Sequence, residues 1–551
     1  MAVFFKYSMR NKHLIFFQSK RFSPMEISLL VVSFLIFLIF IFRGINLPYV
    51  GPNATNFNVY SLIAHNFNKF GYLETKLAPV ISVSNALPDK PEYFFHHPTL
   101  LSFVESVLFR MLGEGFWVGR ATVVIFAIGS FILTFLIGKK IVNKKYGTIA
   151  VFVTALVPAS TLFGKMIGQE PLVLFFCLLA LYSVLMYLSS ENKKFLILCL
   201  IAVVLGIFSD WPMMYFIFFF IPLFAKHKKI KTGIYIVLFS LAISVILLVY
   251  ICFMESGLWD LQNAVTLRSI SGLLSISLWA IRWIATIFLR FIIYFNPVLF
   301  LLSTVALYEI SMRYIKKQLS DVDLVIVGLF LFGIFHVFLY GQASFTHPYL
   351  IYYLVPFIVY GSSLVILKFF LKKDHFYLGG LTFLSIIYLL MIQVYKSEQI
   401  SSNLWRYELT RAVSHHLGLY EEVLLNSSSV IDSDLLWYPF LINRKFVGEN
   451  TSIENKDKHN HYIYSCLGKC NLQNTQLNAL KNRYSFIYIF DSHAETYIFL
   501  LKQKKNQQVG EKIMPIREIN LSKYFVSQTE GSQLIRKIYR FTVEILKVPQ
   551  I

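Results

Sequence analysis

The chain has 551 residues, 56% of them hydrophobic and only 15% charged, a balance that water-soluble globular proteins rarely carry. A net charge of +21 would suit a nucleic-acid partner in a soluble protein, but here the basic residues fall in alternate short loops between apolar runs. That distribution sets nucleic acid aside and orients the chain in a lipid bilayer.

A basic arm over residues 1–25, with Lys6, Arg10, Lys12, Lys20 and Arg21, precedes a bulky apolar run over 26–43. The run ends in Arg43-Gly44 without a small-residue cleavage site, so it reads as an anchoring span and not as a removed signal. Further apolar runs at 117–138, 147–163, 170–189, 194–209, 212–224, 233–253, 281–308, 322–341, 348–367 and 376–395 bring the expectation to about eleven spans. Placing Lys139-Lys140, Lys193-Lys194, the 226–231 cluster, Lys316-Lys317 and Lys372-Lys373 in the cytoplasm puts the amino terminus inside and the segment after 395 outside. The expected location is the plasma membrane of a bacterium or archaeon. The pair 194–209 and 212–224, joined at Asp210-Trp211-Pro212, is short for two spans and reads as tilted or re-entrant.

The first outer loop, residues 44–116, is too long for a connector. Tyr60, Leu62, Ile63, Phe67 and Phe70 repeat at helical spacing before Gly71, as do Leu100, Leu101, Val104, Val107, Leu108 and Met111 before Gly113. Both patterns suit helices lying in the membrane interface and suit equally well helices that plug the bundle. Between them lies a polar stretch with Glu74, Lys76, Asp89, Lys90, Glu92, Tyr93, His96 and His97, closed by Pro98.

Residues 396–551 read as a small extracytoplasmic α/β domain, with strand-like runs at 423–425 and 486–490. Cys466 and Cys470 are close enough in sequence for a local disulfide, whereas Cys177, Cys199 and Cys252 fall in spans and read as small buried apolar groups. The domain contains no glycine-rich nucleotide loop.

Charged groups at the outer mouth of a bundle need a partner or a purpose. Glu170, just before Pro171 at the start of a span, reads either as an acid capping the helix dipole or as a site residue. Asp210 with Trp211, His347 before Tyr349, and Arg120 share its side of the membrane. A lipid phosphate at that surface needs cations, for which Lys165, Arg120, Arg268, Arg282 and Arg290 are candidates against the alternatives of snorkelling or structural pairing. His96 and His97, with a carboxylate, are candidate ligands of a divalent metal ion, although adjacent histidines usually diverge.

Residues 66–72 (NFNKFGY), Phe94-Phe95-His96-His97-Pro98 with Leu100-Leu101, residues 116–120 (FWVGR), residues 164–176 (GKMIGQEPLVLFF) and Asp210-Trp211-Pro212 follow one another as in bacterial relatives of the protein O-mannosyltransferases and aminoarabinose transferases. Over residues 26 to about 370 the chain resembles these multi-spanning GT-C type glycosyltransferases. The resemblance implies an all-α polytopic bundle and inverting transfer of a hexosyl or pentosyl group from a polyprenyl or dolichyl phosphate to a protein, lipid or glycan. It implies catalytic acids in the first outer loop and at the start of the fourth span. Glu170 matches the second acid. The first is missing, because the loop reads Asn53-Ala54-Thr55-Asn56-Phe57-Asn58 there, and asparagine accepts no proton. Either Asp89 or Glu92 takes over that role or the chemistry differs, so the base is expected to be one of Glu170, Asp89 or Glu92, and His96-His97-Pro98 stands where relatives carry a Glu-Lys-Pro type segment, near the donor phosphate or a metal. Lys165, Arg120, His96, His97 and Arg282 are the expected phosphate ligands, and Asn56, Tyr60, Asp210, Trp211, His347 and Tyr349 the expected cavity wall. The rival expectations are a lipid or polysaccharide transporter and a homologue that binds without reacting.

Overall fold

The computed structural model describes residues 22–49, 54–255, 257–268, 277–371 and 375–401, and six strands of the C-terminal segment. Among these residues eight helices are long and apolar enough to cross a membrane, and the protein is a multi-pass membrane protein. The first is α1 (Pro24–Phe42), opened by a capping box between Ser23 and Glu26. The long segment after α1 carries α2 (Ala54–Phe70) and α3 (Leu100–Leu112). Then follow α4 (Phe116–Ile141), α5 (Lys144–Leu156), the short α6 (Pro158–Leu162), α7 (Glu170–Ser190) and α8 (Lys193–Ser209). The chain continues through α9 (Met213–Phe216), a 3-10 turn, α10 (Ile221–Lys226), α11 (Ile230–Cys252) and α12 (Gly257–Arg268). The bundle closes with α13 (Ser277–Phe295), α14 (Pro297–Ile315), α15 (Asp321–Leu339), α16 (Gly341–Thr346), a 3-10 stretch at Pro348–Leu354, α17 (Val355–Leu371) and α18 (His375–Ser401).

Where the count departs from about eleven, backbone chemistry explains it. The run 147–163 is split at Pro158, which supplies no amide to continue α5. The run 212–224 is broken into α9, a 3-10 turn and α10, and 194–209 forms the 17-residue α8, so both elements of that pair are shorter than a full span. The run 281–308 is two helices. Asn296 breaks it at φ 68, its Oδ1 accepting the Val298 N–H at 3.1 Å and its Nδ2 donating to Ser385 O at 3.3 Å.

Small residues let the helices approach. A methyl on Gly138 of α4 would sit 2.9 Å from Gly147 Cα in α5, so the α4–α5 hairpin requires glycine at the crossing. The apolar core runs through α5, α7 and the nearly buried 348–368 segment. At the basic end of the bundle Arg313 forks onto Asp323 at 2.6 and 3.0 Å, tying α14 to α15, and Asp321 accepts from Lys226 and His227.

Helices α2 and α3 divide the alternatives between them. In α2, Tyr60, Leu62, Ile63 and Phe67 are all buried, so this helix plugs the bundle. In α3 the buried stripe is Leu101, Ser102, Glu105, Ser106 and Phe109, whereas Val107, Met111 and Leu112 are exposed. It therefore buries a mixed stripe against the protein and leaves an apolar edge outward, as an interfacial helix does.

In the C-terminal segment β1 (Glu422–Leu425), β2 (Lys445–Gly448), β3 (His461–Leu467), β4 (Tyr484–Ser492), β5 (Thr496–Gln503) and β6 (Met514–Pro515) form one mixed sheet in the order β2-β1-β3-β5-β4-β6. The anticipated strands at 423–425 and 486–490 lie in β1 and β4. The helical pieces anticipated for this segment and the Cys466–Cys470 pairing fall outside the described residues. Cys177 and Cys199 are buried as expected, but Cys252 is exposed at the end of α11.

Candidate active site

Five segments distant in sequence meet around Glu170. The loop before α7 is docked by Gln169, whose Nε2 donates to Pro98 O at 3.2 Å, and this sets Glu170 beside the His97-Pro98 turn. The Glu170 side chain is 4% exposed, and its Oε2 has no hydrogen-bond partner among the described residues. The carboxyl folds back over Gly168, where an added methyl would lie 2.4 Å from Oε2. A buried carboxyl oxygen without a partner is costly, which favours a ligand-facing group over a helix cap. Asp210, Arg268, Tyr60 and Tyr349 are its electrostatic neighbours.

One guanidinium organises the histidines. Arg268, at the end of α12, donates from Nη1 to His97 Nε2 at 2.8 Å and from Nη2 to His96 Nδ1 at 3.3 Å. Arginine has donors only, so both of these ring nitrogens must be acceptors. The His97 proton therefore sits on Nδ1 and is donated to Asp210 Oδ1 at 2.8 Å, and the His96 proton sits on Nε2, 3.3 Å from Asp260 Oδ1. Burial pushes the His97 imidazole below its ordinary range; Asp210 opposes this and Arg268 adds to it. Burial works to raise the Asp210 carboxyl, but the His97 contact and the Trp211 N–H at 2.9 Å hold it below the usual carboxylate range. The pair is thus a neutral imidazole donating to a carboxylate.

The remaining wall is aromatic. Trp211 Nε1 donates to His96 O at 3.1 Å and fixes the histidine turn. The Tyr60 ring lies edge-on to His97 at 6.1 Å. Asn56 Nδ2 donates to Tyr349 Oη at 2.9 Å, and the His347 ring stacks on Tyr349 at 5.2 Å. Burial, with Arg268 and Arg290 nearby, pushes His347 down to about 4, so it is neutral. Asn56, Tyr60, His96, His97, Glu170, Asp210, Trp211, His347 and Tyr349 therefore lie in one region of the structure.

Other candidates are elsewhere. Asp89 and Glu92 are exposed, so neither joins the buried acid Glu170. Arg120 is a structural anchor: its Nη1 donates to Ile45 O at 3.0 Å and to Leu47 O, its Nη2 donates to Pro48 O at 3.1 Å, and its guanidinium lies over the Tyr49 ring. Lys165 donates to Phe40 O at 2.9 Å and Arg43 O at 2.8 Å, closing the end of α1, and burial pushes its ammonium down to about 7. Arg290 caps α16 through Ser344 O, Phe345 O and Thr346 O. Arg282 is half-buried on α13, with no ion pair among the described residues. The histidines do not suit a metal. A guanidinium stands between them, and no group of three His, Cys, Asp or Glu suited to one is found among the described residues.

Asp260 escapes the sequence reading, although a helix opening with an acid and ending in Arg268 is its faint signal. Glu105 escapes it too, because nothing in an amphipathic pattern distinguishes a buried glutamate. Its Oε1 lies 2.6 Å from Ser61 Oγ, its Oε2 has no partner among the described residues, and burial raises the carboxyl to about 8 against the Ser61 hydrogen bond.

Residues 96–254 match the sequence profile of the family described as dolichyl-phosphate-mannose-protein mannosyltransferase. The matched region begins at His96 and holds Glu170 and Asp210. The fold is similar to that of ArnT from Cupriavidus metallidurans bound to undecaprenyl phosphate, with a TM-score of 0.55 and 10% identity over 86% of this chain and 97% of that one. The chain resembles the GT-C type glycosyltransferases. The apo state of ArnT is similar to this chain at a TM-score of 0.51 and 11% identity, covering 86% of this chain and 98% of that one. No curated protein sequence matches the chain.

Proposed function

We propose that the protein is a membrane glycosyltransferase that takes a sugar from a polyprenyl- or dolichyl-phosphate donor and passes it, with inversion, to a hydroxyl acceptor on a protein, lipid or glycan. The reaction face is extracytoplasmic, with the amino terminus in the cytoplasm, the C-terminal domain outside, and residues 26–395 forming the transferase domain. The observation that carries this reading is the unpartnered, buried Glu170 carboxyl in electrostatic range of the Arg268 guanidinium. An anionic phosphate needs such a cation, and an acceptor hydroxyl needs such an oxygen. The mannosyltransferase profile over 96–254 and the undecaprenyl phosphate of the ArnT structure support the same donor class.

Arg268 is offered to lipid as well as to phosphate. Leu258, Trp259 and Val265 of α12 are exposed, forming an apolar edge on the helix that ends in Arg268, suited to a prenyl tail. Glu170 Oε2 accepts a hydrogen bond from the sugar or the acceptor. Transfer of radiolabelled sugar from purified lipid-phosphate donors tests the reading, and Glu170→Gln, verified as folded, is expected to lose transfer by about 10²-fold or more. Near-normal transfer by that variant would remove Glu170 from the mechanism.

A further inference from the structure

Resting on the glycosyl-transfer reading above, we propose that His97, backed by Asp210, is the general base of the reaction, and that Arg268 masks it until a donor phosphate draws the guanidinium away. Three observations lead there. The loop segment expected to hold an acid, residues 53–58, contains none, and its Asn56 amide is spent on Tyr349 Oη. Asp89 and Glu92 are exposed. His97 combines a defined tautomer, a carboxylate hydrogen-bonded to its N–H at 2.8 Å and a lone pair directed away from it, whereas the N–H of His96 stands 3.3 Å from Asp260. The arrangement is that of a histidine–aspartate pair whose Nε2 accepts the proton while the carboxylate steadies the imidazolium.

That lone pair is covered in the structure, because Nε2 accepts the Arg268 Nη1 hydrogen at 2.8 Å. A phosphate is a stronger acceptor than a neutral imidazole, so the guanidinium turns to it and Nε2 is exposed to the acceptor. The acceptor O–H proton then passes to Nε2 while the oxygen's electron pair forms the bond to the anomeric carbon. The anomeric C–O bond to phosphate breaks with its electrons going to the leaving polyprenyl phosphate, whose charge Arg268 holds. The proton leaves His97 for water afterwards. The order of binding follows: donor first, acceptor second.

The groups facing His97 are Asp210 from the α8–α9 turn, Arg268 from α12, Tyr60 from α2, His96 beside it and His336 from α15. None of the others is both unprotonated and hydrogen-bonded to a carboxylate through its own N–H. A neutral His97 is required, so the rate is lost as pH falls below its ordinary range near 6.5.

The experiment is the pH profile of kcat for wild type, His97→Gln, Asp210→Asn and Glu170→Gln in detergent, with folding checked by protection from thermal unfolding with undecaprenyl phosphate. His97→Gln is expected to lower kcat by about 10²–10⁴-fold, to keep donor KM within about threefold, and to abolish the acid limb. Asp210→Asn removes the charge that favours the imidazolium, so it lowers kcat and moves the limb to lower pH; this variant decides the matter if His97→Gln fails to fold. Glu170→Gln lowers the rate with the limb in place. A limb that disappears in Glu170→Gln and persists in His97→Gln makes Glu170 the base and overturns the proposal, as does an unmoved limb in Asp210→Asn. Absence of transfer by the wild-type protein with every lipid-phosphate donor overturns the glycosyl-transfer reading and this one with it.

Discussion

Replacing Glu105 with glutamine removes an ionisation that the fold opposes. The carboxyl is buried in α3, bonded to Ser61 on one oxygen and to nothing described on the other, and burial moves it from an ordinary 4.5 to about 8. Between those two values the folded state keeps a proton that the unfolded chain has released. Stability therefore falls as pH rises through this window, and the loss is complete above about 8. At about 1.4 kcal/mol per pH unit the full effect approaches about 5 kcal/mol, an upper bound because water entry and relaxation soften a buried charge. Glutamine keeps the Ser61 hydrogen bond and does not ionise. The unfolding temperature of Glu105→Gln in detergent should match wild type near pH 5 and exceed it progressively from pH 6 to pH 9, by several degrees at the top. A difference that stays constant across that range would refute the argument, and a variant less stable at pH 9 would reverse it.

Arg120→Met should cost stability without raising the KM for the lipid-phosphate donor, since its guanidinium serves the carbonyls of Ile45, Leu47 and Pro48; each such bond contributes about 1.5–3 kcal/mol, not additively. Thermal unfolding and donor kinetics on one preparation check both halves. Arg268→Lys should raise donor KM about 10-fold or more with the protein still folded, because a lysine keeps the charge but loses the planar fork that spans His96 and His97. An unchanged donor KM would place the phosphate elsewhere.

The candidate site was partly legible before any fold was known. Proline and acid at the start of a span marked Glu170, the Asp210-Trp211-Pro212 turn marked its neighbour, and His96-His97 stood out as the polar end of a long outer loop. Arginines were harder. Arg120, Arg268 and Arg290 read alike, since each is a cation near an apolar run, yet Arg120 and Arg290 bind backbone carbonyls and Arg268 binds imidazoles. Asp89 and Glu92 looked equivalent to Glu170 as acids of the right loop, but exposure separates them from it.

Hydropathy alone determined that this chain lives in a bilayer, roughly where its spans begin and end, and that charged residues at the other face of the basic loops deserve a chemical explanation. Those conclusions rest on local composition, because the cost of placing a polar group in hydrocarbon is felt residue by residue. Only the tertiary structure decided that His97 donates to Asp210 more than a hundred positions away and accepts from Arg268 farther on still, and that Asn296 divides one expected span into two helices. Such facts depend on which donors and acceptors are brought within about 3 Å of one another, a matter of packing between helices that no stretch of sequence contains by itself.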